Sequence, residues 1–128
     1  MQGPEEAFEL YRKLINDHDL DLLERRVIDP AITCVFRNIV HRGLAAVREA
    51  FETAWSDLPD EWYDMRDPEW VASGSDTAVV QFRYAFRGTR QGQPVVGSGR
   101  GTNVYRLNLG SWRLVHEHLS ADPAPAEA

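Results

Sequence analysis

The chain has 128 residues, 43% of them hydrophobic and 27% charged, a size and composition at which one domain buries its own core without a metal or a disulfide. Fourteen Lys and Arg against twenty Asp and Glu give a net charge of -6, which excludes the basic footprint needed to neutralise the phosphates of a nucleic acid. No apolar run approaches the ~20 residues that span a bilayer, and the acidic start Met1-Gln2-Gly3-Pro4-Glu5-Glu6 has no apolar segment behind it. The single cysteine, Cys34, falls in an apolar run and reads as an inert buried thiol. A cytoplasmic location, with no membrane and no nucleic-acid partner, is the expectation.

Pro4 followed by Glu5 and Glu6 marks a helix start, because proline is tolerated in the first turn and acids face the positive end of the dipole. Phe8, Tyr11, Leu14, Ile15 and His18 then recur at helical spacing, with Tyr11 at the middle of the stripe. Asp17 or Asp19 caps a short second helix to about Arg26. Residues 31–39 are rich in β-branched side chains and follow the turn signal Asp29-Pro30, so they predict a first strand. After Gly43, the positions Leu44, Val47, Ala50, Phe51, Ala54 and Trp55 keep a 3.6 period, giving a third helix that Pro59 closes. Strand material follows at about 61–72 (kinked at Asp67-Pro68), 76–88, 94–107 and 111–120, joined by short turns as antiparallel hairpins. Helices first and long strands after is an α+β pattern, with helices laid on one face of a curved antiparallel sheet. One domain over 1–120 is expected, with the Pro/Ala-rich tail 121–128 left disordered.

Asp29-Pro30, Gly43, Gly88, Pro94, Thr102, Val104 and above all Trp112-Arg113-Leu114-Val115-His116-Glu117-His118-Leu119-Ser120 carry a family likeness. The chain resembles the nuclear transport factor two-like superfamily, in particular its SnoaL-like and ketosteroid-isomerase-like domains and the association domain of calcium/calmodulin-dependent kinase II. With the last of these it matches from Arg83 to Ser120 without a gap. The resemblance implies a cone-shaped α+β barrel with a cavity between the helices and the concave sheet, and commonly a homodimer through the other face. It further implies that the polar strand face holding Arg83 and Asn103 lines the cavity, leaving Phe82, Tyr84 and Phe86 to meet a second subunit. The opposite assignment, with those three aromatics as core and Arg83 at the surface, is what composition alone favours.

The same resemblance puts Tyr11 at the position of the isomerase's oxyanion-hole tyrosine and Asn103 at that of its acid. The base position falls at Val35, where no base exists. Of three cavity arginines in the kinase domain, one matches Arg83 and the others fall at Asn103 and Leu119. Glu117, assigned to the cavity side with Val115 and Leu119, is a carboxylate in apolar company, where burial raises a pKa toward neutrality. Alternatively it pairs with Arg83. Gly97, Gly99 and Gly101 leave one face of their strand bare, either to let the sheet bend or to make room for a ligand or helix. His116 and His118 form a His-x-His on the opposite parity, without the further ligands a metal requires, so neither a metal nor a cofactor is expected. The site set is therefore Tyr11, Phe36, Trp55, Arg83, Asn103 and Glu117, with Phe8, Phe51 and Tyr105 in the wall. Its ligand would be a small hydrophobic or carbonyl/carboxylate compound. Two alternatives stand beside simple binding: an isomerase, lyase or cyclase acting on a carbonyl-bearing hydrophobic metabolite, and a dimerising or oligomerising scaffold.

Overall fold

A computed structural model describes residues 3–123. Helix α1 (Pro4–Asp17) starts on Pro4 with Glu5 and Glu6 in its first turn, and buries Ala7, Phe8, Tyr11, Leu14 and Ile15. Each large side chain of that stripe contributes ~1.5–3 kcal/mol of burial. His18, left-handed at φ 52°, ends it. Asp19 then caps α2 (Leu20–Arg26), its carboxylate accepting the Leu22 N–H at 3.0 Å. Helix α3 (Leu44–Asp57) buries Val47 and Phe51.

Six strands form one curved sheet in the order β2-β1-β6-β5-β4-β3. They are β1 (Ile28–Phe36), β2 (Ile39–Arg42), β3 (Trp62–Ser73), β4 (Thr77–Arg90), β5 (Gln93–Asn108) and β6 (Ser111–Ala121). Their partners are antiparallel except for β1 and β6, which run parallel, so the sheet is mixed rather than wholly antiparallel. The C-terminal strand β6 is central, paired with β1 on one side and β5 on the other. The α+β architecture expected from the sequence is the one observed: three helices on one face, and the other face of the sheet left bare of helices.

Three local readings change. The first strand begins at Ile28 and not after Pro30: Asp29 is buried inside it, accepting the Ala31 N–H at 2.8 Å and a guanidinium hydrogen of Arg106 at 3.1 Å. Pro30 donates nothing to the ladder, and the β1–β6 register slips between Ile28 and Thr33 to pass it. Residues 39–42 form an extra edge strand, turned back on β1 through Arg37 and Asn38, both at positive φ. At the other end β6 includes Ala121, the first residue of the expected tail, while 124–128 lie outside the described residues.

The strand β3 kinks where Asp67-Pro68 signals it, with Asp67 at φ 52° and the β3–β4 register shifted between Arg66 and Glu69. Alternation on either side puts Tyr63 and Met65 into the core.

Candidate functional site

A cavity of about 960 Å³ opens between α3 and the concave face of the sheet, a volume in the range of small-molecule sites. Phe36 from β1, Phe51 and Trp55 from α3, Tyr63 from β3, and Tyr84 and Phe86 from β4 give it aromatic walls. Their rings pack on one another: Phe36 on Phe51 at 6.0 Å, Phe51 on Trp55 at 5.2 Å, and Tyr63 stacked on Tyr84 at 5.6 Å. Glu117, from the middle of β6, lies in the floor with 2% of its surface exposed.

Glu117 is positioned by three elements. Its Oε1 accepts the Tyr11 hydroxyl of α1 at 2.6 Å. Cys34 of β1 and Asn103 of β5 are its direct neighbours across the sheet. Burial pushes its carboxyl up to about 7, against the Tyr11 and Asn103 hydrogen bonds, which favour the charged form. Burial first, and the Glu117 charge next, hold the hydroxyls of Tyr11 and Tyr63 firmly protonated. The same two causes push the Cys34 thiol far up, which makes it inert.

Three buried side-chain atoms have no partner within the protein, among the described residues: Tyr63 Oη, Asn103 Oδ1 and Glu117 Oε2. All three belong to this one region, since Tyr63 and Glu117 line the cavity and Asn103 sits opposite Glu117. Asn103 spends an amide hydrogen on Tyr105 Oη at 3.2 Å, which leaves its carbonyl oxygen over. A buried polar atom left unpaired costs ~1–3 kcal/mol, and two of the three, Tyr63 Oη and Glu117 Oε2, are on residues that line the cavity.

At the mouth, burial raises the half-buried Glu61 carboxyl to about 7, while Trp55 and Arg37 pull it down. His18 stacks on Trp55 at 4.5 Å and its Nε2 meets the Glu61 carbonyl oxygen at 3.0 Å. Arg90 is gripped by Asp57, with contacts of 2.5 to 3.0 Å.

Of the residues expected from the sequence, Tyr11, Asn103 and Glu117 come together, and Phe36 and Trp55 wall the cavity. Arg83 does not join them. It lies on the convex face, where it donates to Asp122 at 2.9 Å. The reason is the hairpin register. The β4–β5 turn is two residues long, Gln91 and Gly92 at φ 51° and 77°, and it pairs Val80 with Asn103, Phe82 with Gly101 and Tyr84 with Gly99. The face of Asn103 is therefore the face of Phe82, Tyr84 and Phe86. Those aromatics accordingly pack inward, Phe82 against Phe8 at 5.7 Å, and do not offer a surface for a second subunit.

The glycines answer to the same register. A Cβ on Gly97, Gly99 or Gly101 would collide with the ring of Phe86, Tyr84 or Phe82 respectively. Their bareness seats the aromatic row rather than a ligand. Along β6 a bulge at Val115 lets both Leu114 and Glu117 face inward, so Leu114 rather than Val115 shares the inner face with Glu117. Phe8 and Tyr105 are core residues behind the cavity. His116 and His118 stay on the convex side, where His116 Nδ1 meets Thr33 Oγ1 at 2.8 Å, and no group of three metal-binding side chains exists among the described residues.

Tyr63, Tyr84 and Glu61 are site residues that sequence reasoning did not single out. Alternation along Trp62-Tyr63-Asp64-Met65 was the available signal for Tyr63.

Three helices folded over the hollow of a curved mixed sheet, with a titratable pocket between them, define an α+β barrel of the cystatin-like, nuclear-transport-factor class. The chain belongs to the SnoaL-like domain family, whose model matches residues 5–125. Among solved structures, a nuclear transport factor 2-like superfamily protein from Salmonella enterica serovar Typhimurium is similar at 21% identity and a TM-score of 0.82, over 94% of this chain and 89% of that one. A CaMKII hub from S. rosetta is similar at 23% identity and a TM-score of 0.77, over 91% and 92%. A candidate dehydratase of the NTF2-like family from Streptomyces avermitilis is similar at 19% identity and a TM-score of 0.79, over 94% of each chain. No curated protein matches the sequence at a significant level.

Proposed function

We propose that this SnoaL-like domain binds a small, mostly apolar molecule in the aromatic-walled cavity, with the polar end of the ligand against Glu117. The observation that carries the reading is the pair of buried, unpartnered polar atoms, Tyr63 Oη and Glu117 Oε2, on side chains that line a mostly aromatic chamber. Carboxylate ligands lose the support expected from Arg83, which lies on the convex face paired with Asp122. A thermal-shift screen of steroids, aromatic polyketides and small polar analogues tests the reading. Hits should lose their shift when Trp55 is changed to Ala or Tyr63 to Phe. Hits indifferent to both changes would place the ligand elsewhere.

A second reading is catalytic, and the near-neutral Glu117 favours it. In its ionised form Oε2 could take a proton from a carbon beside a carbonyl and return it to another carbon, while the Tyr63 hydroxyl donates to the oxygen that gains charge and Tyr11 steadies Oε1. Such an isomerase, lyase or cyclase should lose turnover by about a hundredfold or more on Glu117→Gln, whereas a binder keeps its affinity for a neutral ligand within a few-fold.

Association would use the helix-free sheet face, where Val35, Val40, Thr102, Val104 and His118 are partly or wholly exposed. The CaMKII hub likeness supports self-association in this family of folds. A dimer burying ~800 Å² per partner should sediment as such at tens of micromolar, and Val40→Glu should split it. A monomer at that concentration would end this part of the proposal.

A further inference from the structure

The reading above leaves the chemistry of the ligand's polar end open, and the hydrogen-bond inventory of the floor narrows it. We infer that the cavity is built for a hydrophobic primary amine, bound as its ammonium with the nitrogen against Glu117 Oε2. This rests on the reading of the cavity as a ligand site.

The first argument is the match of donors to acceptors. Glu117 Oε2, Asn103 Oδ1 and Tyr63 Oη are the three buried atoms without partners among the described residues, and two of them, Glu117 Oε2 and Tyr63 Oη, belong to side chains that line the cavity. Both can accept a hydrogen bond. An ammonium carries three donors and no acceptor, so it has a hydrogen for each of the two and one to spare. A ketone or ester offers only acceptors and would leave the ionised Glu117 Oε2 without a donor. An alcohol supplies a single donor.

Charge gives the second argument. Glu117 is the one buried carboxyl of the lining, and no lysine, arginine or histidine hydrogen-bonds or ion-pairs with it among the described residues. Its side-chain hydrogen bonds come from neutral groups, Tyr11 and Asn103. Around the whole lining the four acids Glu49, Asp57, Glu61 and Glu117 outnumber the three basic side chains Arg37, His41 and Arg90, and Asp57 already engages Arg90. An anion entering this space would meet an acidic floor. A cation would supply the counter-charge that the buried carboxyl lacks, and its arrival would favour the ionised form.

The walls agree with both. Tyr63 and Tyr84, stacked at 5.6 Å, rise beside Glu117, and Phe36, Phe51 and Trp55 close the other side. Aromatic faces attract a cation within ~6 Å and also accommodate the apolar body that follows it. Length is available too, since a cavity of about 960 Å³ holds a ring system or a long chain behind the amine.

The test uses isosteric probes on the whole chain at pH 8: 2-naphthylethylamine, 2-naphthylethanol, 3-(2-naphthyl)propionate, 2-acetylnaphthalene, and the trimethylammonium analogue of the amine. Binding is read by isothermal titration and by NMR shifts of the Tyr63 and Asn103 resonances. The expected result is that the primary amine binds at least tenfold more tightly than the alcohol, the ketone and the quaternary analogue, and that the carboxylate binds weakest of all. Glu117→Gln should lower affinity for the amine at least tenfold while changing affinity for the alcohol less than threefold, which also shows that the variant is folded. If the alcohol or ketone binds as well as the amine, the cavity is a ligand site but the amine inference is wrong. If the carboxylate binds best, the charge argument is overturned. If the quaternary analogue equals the amine, the hydrogen-bond argument is overturned. If no probe binds and Tyr63 and Asn103 do not shift, water fills the floor, and the ligand-site reading falls together with this one.

Discussion

Glu117→Gln exchanges a fully buried carboxyl for an amide of nearly the same shape, and its effect on stability should depend strongly on pH. Burial lifts the folded carboxyl from 4.5 to about 7, so between those limits the native chain holds a proton that the unfolded chain has released. The native state then binds more protons than the unfolded one, and stability falls as pH rises. The contribution is present in full below about pH 4.5 and is lost as pH passes through 7. At 1.36 kcal/mol per pH unit, the interval amounts to about 3 kcal/mol. Glu61 is raised in the same way, while Asp29, Asp57 and Asp60 are lowered by their hydrogen bonds and act oppositely in more acid solution. A single wild-type curve is thus a composite. The difference between wild type and Glu117→Gln isolates the one group. Urea unfolding of both proteins at intervals from about pH 4.5 to 8, at constant ionic strength, should show wild type losing about 3 kcal/mol relative to the variant, most steeply between pH 5 and 7. A difference that stays flat, or one that grows in favour of wild type as pH rises, would refute the claim that Glu117 is a buried carboxyl without a counter-charge.

Tyr11→Phe removes the hydroxyl that donates to Glu117 Oε1 at 2.6 Å; the Glu117 titration, followed by carboxyl-carbon NMR, should move above 7, and stability at pH 8 should drop by ~1–3 kcal/mol. Gly101→Val places a side chain where the Phe82 ring lies, and thermal unfolding should report a loss of ~1–3 kcal/mol or more from overpacking, whereas Gly92→Ala meets no neighbour and costs only the backbone strain of a Cβ at φ 77°. Arg83→Ala breaks a partly exposed pair with Asp122; it should cost no more than ~1 kcal/mol and leave cavity binding unchanged, and a tenfold loss of ligand affinity would contradict its convex placement.

The helices were legible because each carries its own signals: Pro4 with Glu5 and Glu6, Asp19 as a cap, and the stripe through Tyr11. Strand positions were legible too, since alternation is a local property of the chain. What could not be read was the phase between strands. Asn103 and Arg83 share odd numbers and so look like companions, yet a two-residue turn at Gln91-Gly92 pairs odd positions on β5 with even positions on β4. Reading the turn as the longer stretch from Gly88 to Gln93 hid that shift, and a slip of one residue inverts a whole face. Hence Glu117, Asn103 and Tyr11 were rightly expected to be neighbours, while Arg83 was put on the wrong face. Tyr63 and Glu61 went unnoticed because what distinguishes them is the ring or the charge they meet across the fold, and Tyr84 was set on the opposite face with Phe82 and Phe86 by the same slip.

The bulge at Val115 decides the electrical character of the chamber. Leu114 and Glu117 both turn inward only because two residues, Val115 and His116, share the space of one between them. On a regular ladder continuing from Leu114, His116 and His118 would point into the hollow and Glu117 would face solvent. Imidazoles gain positive charge as they titrate near neutrality, whereas a carboxyl gains negative charge. The same eleven residues of β6 could therefore have furnished a receptor for anions, and one extra residue in the strand makes the pocket acidic instead.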